Sequence, residues 1–302
     1  MAFGQGQVSS EGASIKRYIG VASVFVLGVN PTKAELEKLY NRTIDNEPTY
    51  VGETEINGEK VAQVRIDFIV KADPEKYLDS NNQPLDFVSK VSLYVANTYK
   101  YNKDKTKVQV RDKYGRFAWV TIEQAKNHEI PMYSNGPANL DKDYKPAYVG
   151  EEELINFLIS YLNIPSCQKY IDGKWVMNDA DKLKDSEAAL ENIADYFKGD
   201  VNELKTIISY QPKNKLKVLF GVRSTDDNKQ YQTVYTKMFL KNGVSDYSKL
   251  DKNVKETQDA GALSTSVFDC TDIHEYVVES TTFAPQSAMP FPPQQGDDSP
   301  WG

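Results

Sequence analysis

Histidine and cysteine are almost missing from this chain. Its 302 residues hold two of each, His128, His274, Cys167 and Cys270. Two distant cysteines exclude a secreted disulfide framework and fit a reducing compartment. Two histidines leave serine or cysteine nucleophiles without a credible base. Cys270 and His274 stand in C-x3-H spacing, and Cys167 with His128 could complete four zinc ligands. Structural zinc sites are built from tight ligand pairs, whereas these are scattered, and Cys270 reads as a buried core cysteine. Phosphate-cradling glycine motifs of the G-x-x-x-x-G-K-[ST] or G-x-G-x-x-G kind are absent. The many acids show no spacing that marks a glycosidase pair or a two-metal centre. The expectation is a non-enzymatic protein with no cofactor and no metal. No apolar run is long enough to cross a membrane: "YIGVASVFVLGV", Tyr18 to Val29, is too short and reads as a buried strand.

Basic residues are also missing from the last part of the chain. The net charge is −7, from 36 basic and 43 acidic residues, and no Lys or Arg follows Lys255. Eight acids lie beyond that point, so residues 1–255 are close to charge balance and the acidity belongs to the C-terminal segment. Such asymmetry is a hint of nucleic-acid interaction combined with an acidic tail.

What is present alternates. Residues 1–15 are rich in Gly, Ser and Gln and read as a flexible arm. A strand from about Lys16 to Val29 stops at Asn30-Pro31. "TKAELEKLYNR" follows as a helix whose Thr32 and Glu35 have capping-box spacing. Asn57-Gly58 marks a hairpin turn, and Ala62, Val64, Ile66, Phe68 and Val70 alternate after it with Gln63, Arg65 and Asp67. Further strands turn at "NKDK" and "DKYGR", then a Pro/Gly/Tyr-rich loop intervenes. Residues of about 151–208 form a helical insert: Leu154, Phe157, Leu158, Tyr161 and Leu162 share a helical face, and Gly199 is placed to cap a helix that starts at Ser186. Strands return from "NKLKVLFGVRST" onward, with Tyr231, Tyr235, Lys237 and Phe239 on one face of "QYQTVYTKMFLKNG". Residues 282–302 are Pro-rich and of low complexity, which predicts disorder. The pattern predicts an α+β fold over 16–281, with an OB-like β-barrel or curved antiparallel sheet as its core.

The stretch "TYKYNKDKTKVQVRDKYGRFAWV" is the most informative. Lys100, Lys103, Lys105, Lys107, Arg111, Lys113 and Arg116 face only Asp104 and Asp112, and Tyr99, Tyr101, Tyr114, Phe117 and Trp119 are interleaved with them. Single-stranded nucleic acid calls for this mixture: cations neutralise phosphates while flat rings stack on unpaired bases without reading them. Tyr235 and Lys237 belong to a second, smaller cluster. The competing reading is that strand aromatics pack and hairpin lysines are merely solvated. The tail adds Asp297, Asp298 and Trp301: the aspartates can compete for a basic groove, and the tryptophan offers a partner protein an anchor.

With "DDSPWG" at its end, the chain resembles the single-stranded DNA-binding proteins of replication that join an OB-fold to an acidic tail with a hydrophobic tip. It is similar in particular to those of tailed bacteriophages of the crAss-like group, over "KRYIGVASVFVLGVNPTKAELEKLYN", "KVQVRDKYGRFAWVTIEQAKNHEIPMYSNGPA", "DKDYKPAYVGEEEL", "IISYQPKNKLKVLFGVR" and "DYSKLDK". The resemblance implies sequence-independent binding of single-stranded DNA in phage replication and recombination, inside the host bacterial cytoplasm. Replication proteins would be recruited through Asp297, Asp298 and Trp301. A virion or assembly protein and an RNA-binding protein are the alternatives.

Overall fold

The computed structural model describes residues 16–163, 167–171, 174–177, 193–210, 212–226, 229–263 and 265–277. The predicted arm, and the tail with Asp297, Asp298 and Trp301, lie outside the described residues. In chain order the first half contains β1 (Tyr18–Val29), α1 (Lys33–Tyr40), β2 (Val51–Ile56), β3 (Glu59–Ala72), β4 (Val88–Tyr99), β5 (Lys107–Arg111), β6 (Phe117–Thr121), α2 (Ile122–Asn127), β7 (Met132–Tyr133), β8 (Gly136–Pro137), β9 (Lys145–Pro146) and β10 (Tyr148–Val149). The second half contains α3 (Glu151–Tyr161), β11 (Cys167–Ile171), β12 (Lys174–Met177), α4 (Ile193–Tyr196), α5 (Asn202–Tyr210), β13 (Lys215–Ser224), β14 (Gln230–Val234), β15 (Leu240–Lys241), α6 (Ser248–Asp259), β16 (Ser266–Phe268) and β17 (His274–Glu275).

These elements make a mixed α+β fold around a curled antiparallel half-barrel. Its strand order is β10-β4-β3-β1-β13-β14, with β2 added to β3, β15 and β16 to β13, and β17 to β1. A register shift between Val26 and Gly28 of β1 and another between Tyr148 and Val149 of β10 bend the ladder. Strands β6-β5-β9 form a small separate sheet.

Strand alternation divides the sheet into two faces. Ala22, Val24 and Val26 of β1, Val64, Ile66, Phe68 and Val70 of β3, and Leu216, Val218 and Phe220 of β13 pack against α3 and α5 in the main core. Phe157 of α3 stacks on Phe68 at 4.0 Å and meets Phe239 edge-on at 5.1 Å. Each such pair adds roughly 0.5–1.5 kcal/mol beyond its burial. The opposite face carries Val21 and Leu219, which α6 covers with Leu250 and Val254. A third cluster, Val108, Val110, Val120, Leu140 and Tyr144, fills the space under the small sheet.

Local signals translate directly. Thr32 and Glu35 make both capping-box bonds at the start of α1. The hairpin of β2 and β3 turns on Asn57 and Gly58, both at positive φ. Leu154, Phe157, Leu158 and Tyr161 of the expected face of α3 are buried, Leu162 is its half-buried C-cap, and Gly199 adopts the left-handed conformation that ends a helix. Three features differ from the sequence expectation, and one helix stands where the sequence reading assigned no element. The insert is interrupted by the hairpin of β11 and β12. Asp67, placed by alternation on a solvated face, is 3% exposed because Arg65 and Lys90 close over it. Residues 248–259 are helical. The strand expected over 230–243 stops at Val234 and resumes at Leu240, because the chain between bulges out of the ladder along the same edge of β13, where Val234 pairs with Phe220 and Leu240 with Lys217. Tyr235 drops to one face and Phe239 to the other.

Candidate nucleic-acid interface

The basic stretch begins where β4 leaves the half-barrel. Lys100 N–H donates to Ala147 O and Gln109 N–H to Lys100 O, so β4 continues against β5 of the small sheet. Tyr99 and Tyr101 stand on this bridge, each 42% exposed. Tyr99 tilts against Tyr148 at 5.3 Å and still keeps its 42% exposure. The turn that follows is closed by side chains. Asn102 Oδ1 accepts Lys107 N–H at 2.8 Å, Asp104 Oδ1 accepts the Thr106 hydroxyl at 2.9 Å, and Lys105 takes a positive φ. Lys103, Lys105 and Lys107 are exposed on it, and no ion pair engages them among the described residues.

The second turn uses its cations differently. Asp112 has no exposed surface. Its carboxylate accepts the N–H groups of Tyr114, Arg116 and Asp141 and holds the Arg116 guanidinium at 2.6 Å. Arg116 also donates to Asn139 and lies 4.7 Å over the Tyr114 ring, which Lys113 approaches at 5.0 Å. Phe117 packs against the main core.

The remaining cations converge on three successive glutamates at the start of α3. Glu151 is fully buried and pairs with Arg111; its Oε2 accepts Tyr148 N–H at 2.7 Å. Burial pushes the Glu151 carboxyl above its ordinary range, against the pull of Arg111. Glu152 holds Lys100 at 2.9 Å and Gln109 at 2.8 Å. Glu153 pairs with Lys237. Burial works to raise the Glu153 carboxyl, but the hydrogen bond and charge of Lys237 outweigh it and hold it below the ordinary range. Carboxylates also suit the positive end of the helix. Gly150 permits the arrangement: its φ is +87°, and a Cβ there would lie 1.8 Å from the Tyr94 carbonyl oxygen. The two clusters read from the sequence therefore do meet in space, but at a glutamate hub.

Tyr235 is a core residue. It is 1% exposed, and its hydroxyl bonds Asn253 O at 3.0 Å and Thr257 Oγ1 at 2.7 Å. As placed it has no free face for a base. The sequence reading missed the role of Glu151, Glu152 and Glu153, which any acidic first helical turn could have suggested. It also missed Tyr94, 42% exposed on β4 beside its cross-strand partner Arg65. Tyr133 and Met132 are exposed on the hairpin of β7 and β8, whereas Tyr144 of the same loop is buried. Among the described residues no group of three or more His, Cys, Asp or Glu gathers to hold a metal ion, and no helix is long and apolar enough to cross a membrane.

No family model matches the chain, and comparison with curated proteins and with solved structures finds no relative.

Proposed function

We propose that the protein binds single-stranded DNA without sequence preference, through the surface where β4 passes into β5. The observation that supports this reading is the pairing of exposed rings, Tyr99 and Tyr101, with lysines 103, 105 and 107, which no ion pair engages among the described residues, on one hydrogen-bonded turn. Rings stack on bases at about 1–3 kcal/mol each, and lysines release counterions from phosphates. Lys113 and Tyr114 extend the surface along the second turn. Lys100, Arg111 and Lys237 act through the glutamates of α3, and Arg116 and Phe117 through the second turn and the core, by holding the strands that present the surface. Tyr235 belongs to the core under α6.

In this reading the half-barrel serves as an OB-like scaffold. The protein is non-enzymatic and works in phage DNA replication and recombination in the cytoplasm of a bacterial host. Asp297, Asp298 and Trp301 recruit replication proteins. The test is titration with oligo-dT of graded length, read by intrinsic tryptophan fluorescence, with oligo-U as competitor. Saturable binding that oligo-U fails to displace supports the proposal. Preference for oligo-U makes it an RNA-binding protein, and no binding to either leaves the virion or assembly reading.

A further inference from the structure

The small sheet carries one large ring that neither its core nor the surface above accounts for. Side chains along β6 alternate between its two faces. Ala118 and Val120 point into the cluster beneath the small sheet, and Phe117, on the other face, packs against the main core. Trp119 shares the face of Phe117, yet it belongs to none of the three apolar clusters. It is half-buried, meets no other aromatic ring among the described residues, and its indole N–H donates to no acceptor there. A tryptophan that serves a core has its ring enclosed by apolar groups and its N–H satisfied. Trp119 has neither.

The register fixes what lies beside it. Strands β5 and β6 pair Gln109 with Trp119 and Lys107 with Thr121. Lys107 is therefore the diagonal neighbour of Trp119 on the same face, at a spacing of roughly 7–8 Å that a long side chain can close. Lys107 is exposed, and no ion pair engages it among the described residues. Lys100 also reaches this face: its Nζ stands 6.0 Å from the centre of the Trp119 ring while it holds Glu152 at 2.9 Å. Tyr101 lies on the opposite face, because it bridges to Val108, whose side chain is in the cluster beneath the sheet. The turn at 102–107 thus has a ring on either side of it, with Lys103, Lys105 and Lys107 between.

We propose that Trp119 stacks on a base, and that a single DNA strand folds over the end of the small sheet. One base rests on Tyr101, the phosphates cross the lysines of the turn, and a further base rests on Trp119. This rests on the DNA surface proposed for the turn and adds a second face to it. Lys107 makes the two faces continuous, since it belongs both to the turn and to the surroundings of Trp119. An indole stacks on any base, and a lysine beside it that no carboxylate holds can take the adjoining phosphate. Glu152, which also lies on this face, is occupied by Lys100 and by Gln109 at 2.8 Å.

The chain has three tryptophans, Trp119, Trp175 and Trp301, so the double variant Trp175→Phe, Trp301→Phe reports on Trp119 alone. Fluorescein-labelled oligo-dT measures binding by anisotropy, and unlabelled oligo-dT is followed by the emission of the double variant. Saturable quenching with the midpoint of the anisotropy curve is expected. An oligonucleotide carrying 5-iodo-deoxyuridine should photocrosslink to both Tyr101 and Trp119, mapped by mass spectrometry. Trp119→Ala should weaken binding about tenfold or more, and Trp119→Phe should restore most of the loss. If Trp119→Ala fails to fold, quenching and crosslinking in the double variant decide. Binding by anisotropy with Trp119 emission unmoved, crosslinking at Tyr101 alone, or unchanged affinity of Trp119→Ala each overturn the inference and leave the surface of Tyr99 to Lys107 standing. No anisotropy change with the wild type overturns both.

Discussion

Two turns only a few residues apart use their charges in opposite ways. In the turn at 102–107 the one carboxylate, Asp104, lies at the surface and bonds Thr106, so three lysines are left pointing into solvent. In the turn at 112–116 the carboxylate of Asp112 is sealed inside, where it organises the backbone and captures Arg116. Both read as basic in sequence. What separates them is whether an acid is built into the turn's interior. A buried carboxylate must be paired and will take the nearest cation, whereas a surface one competes weakly for it.

The largest effect expected from breaking this contrast lies at the hub. Arg111→Ala leaves Glu151 buried and uncompensated, so unfolding free energy should fall by about 3–5 kcal/mol in denaturant titration. If Arg111 lay on the binding surface, the loss would appear in DNA affinity with stability intact. Next comes the open turn. Changing Lys103, Lys105 and Lys107 to Glu should flatten the dependence of log K for oligo-dT on log salt by about 2, from about 0.7 for each phosphate released. At 0.1 M salt that is roughly a hundredfold in affinity. The same slope in wild type and variant would remove the turn from the interface.

A smaller effect sharpens the contrast between exposed and buried tyrosines. Tyr101→Ala should cost about 1–3 kcal/mol of oligo-dT affinity while the melting curve stays in place. Tyr235→Ala should show the reverse, a stability loss of ~3–5 kcal/mol, measured by the same denaturant titration. The smallest effect concerns Lys237, whose side chain is 57% exposed. Because Glu153 is held below its ordinary range, the stability from this pair is present above the ordinary glutamate pKa and is lost as pH falls through the lowered one. Lys237→Met should therefore lower stability near neutral pH by at most ~1 kcal/mol, and the difference should vanish in acid. A difference that persists in acid would mean Lys237 contributes packing rather than charge.

Features encoded within a few residues could be read from the sequence. The capping box of Thr32 and Glu35, the Asn57-Gly58 turn and the apolar face of α3 each need only neighbouring side chains. The rest depends on distant partners. Arg111, Lys100 and Lys237 look alike in composition to Lys103 or Lys105, and only folding brings them to Glu151, Glu152 and Glu153. The 235–239 segment keeps an alternating pattern, yet it sits at the rim between two cores that claim Tyr235 and Phe239 separately. The helix at 248–259 buries only Leu250 and Val254, too narrow a stripe to stand out in a polar run.

Gly150 turns three ion pairs into one fastening. With no side chain there, the first turn of α3 lies flush on the backbone of β4, and its three carboxylates reach one cation each from three separate lengths of chain. The joint behaves as a rivet through a stack of plates. A methyl group at residue 150 would act as a shim under the rivet head, prising the helix from the sheet and loosening Lys100, Arg111 and Lys237 together, although none of them touches it.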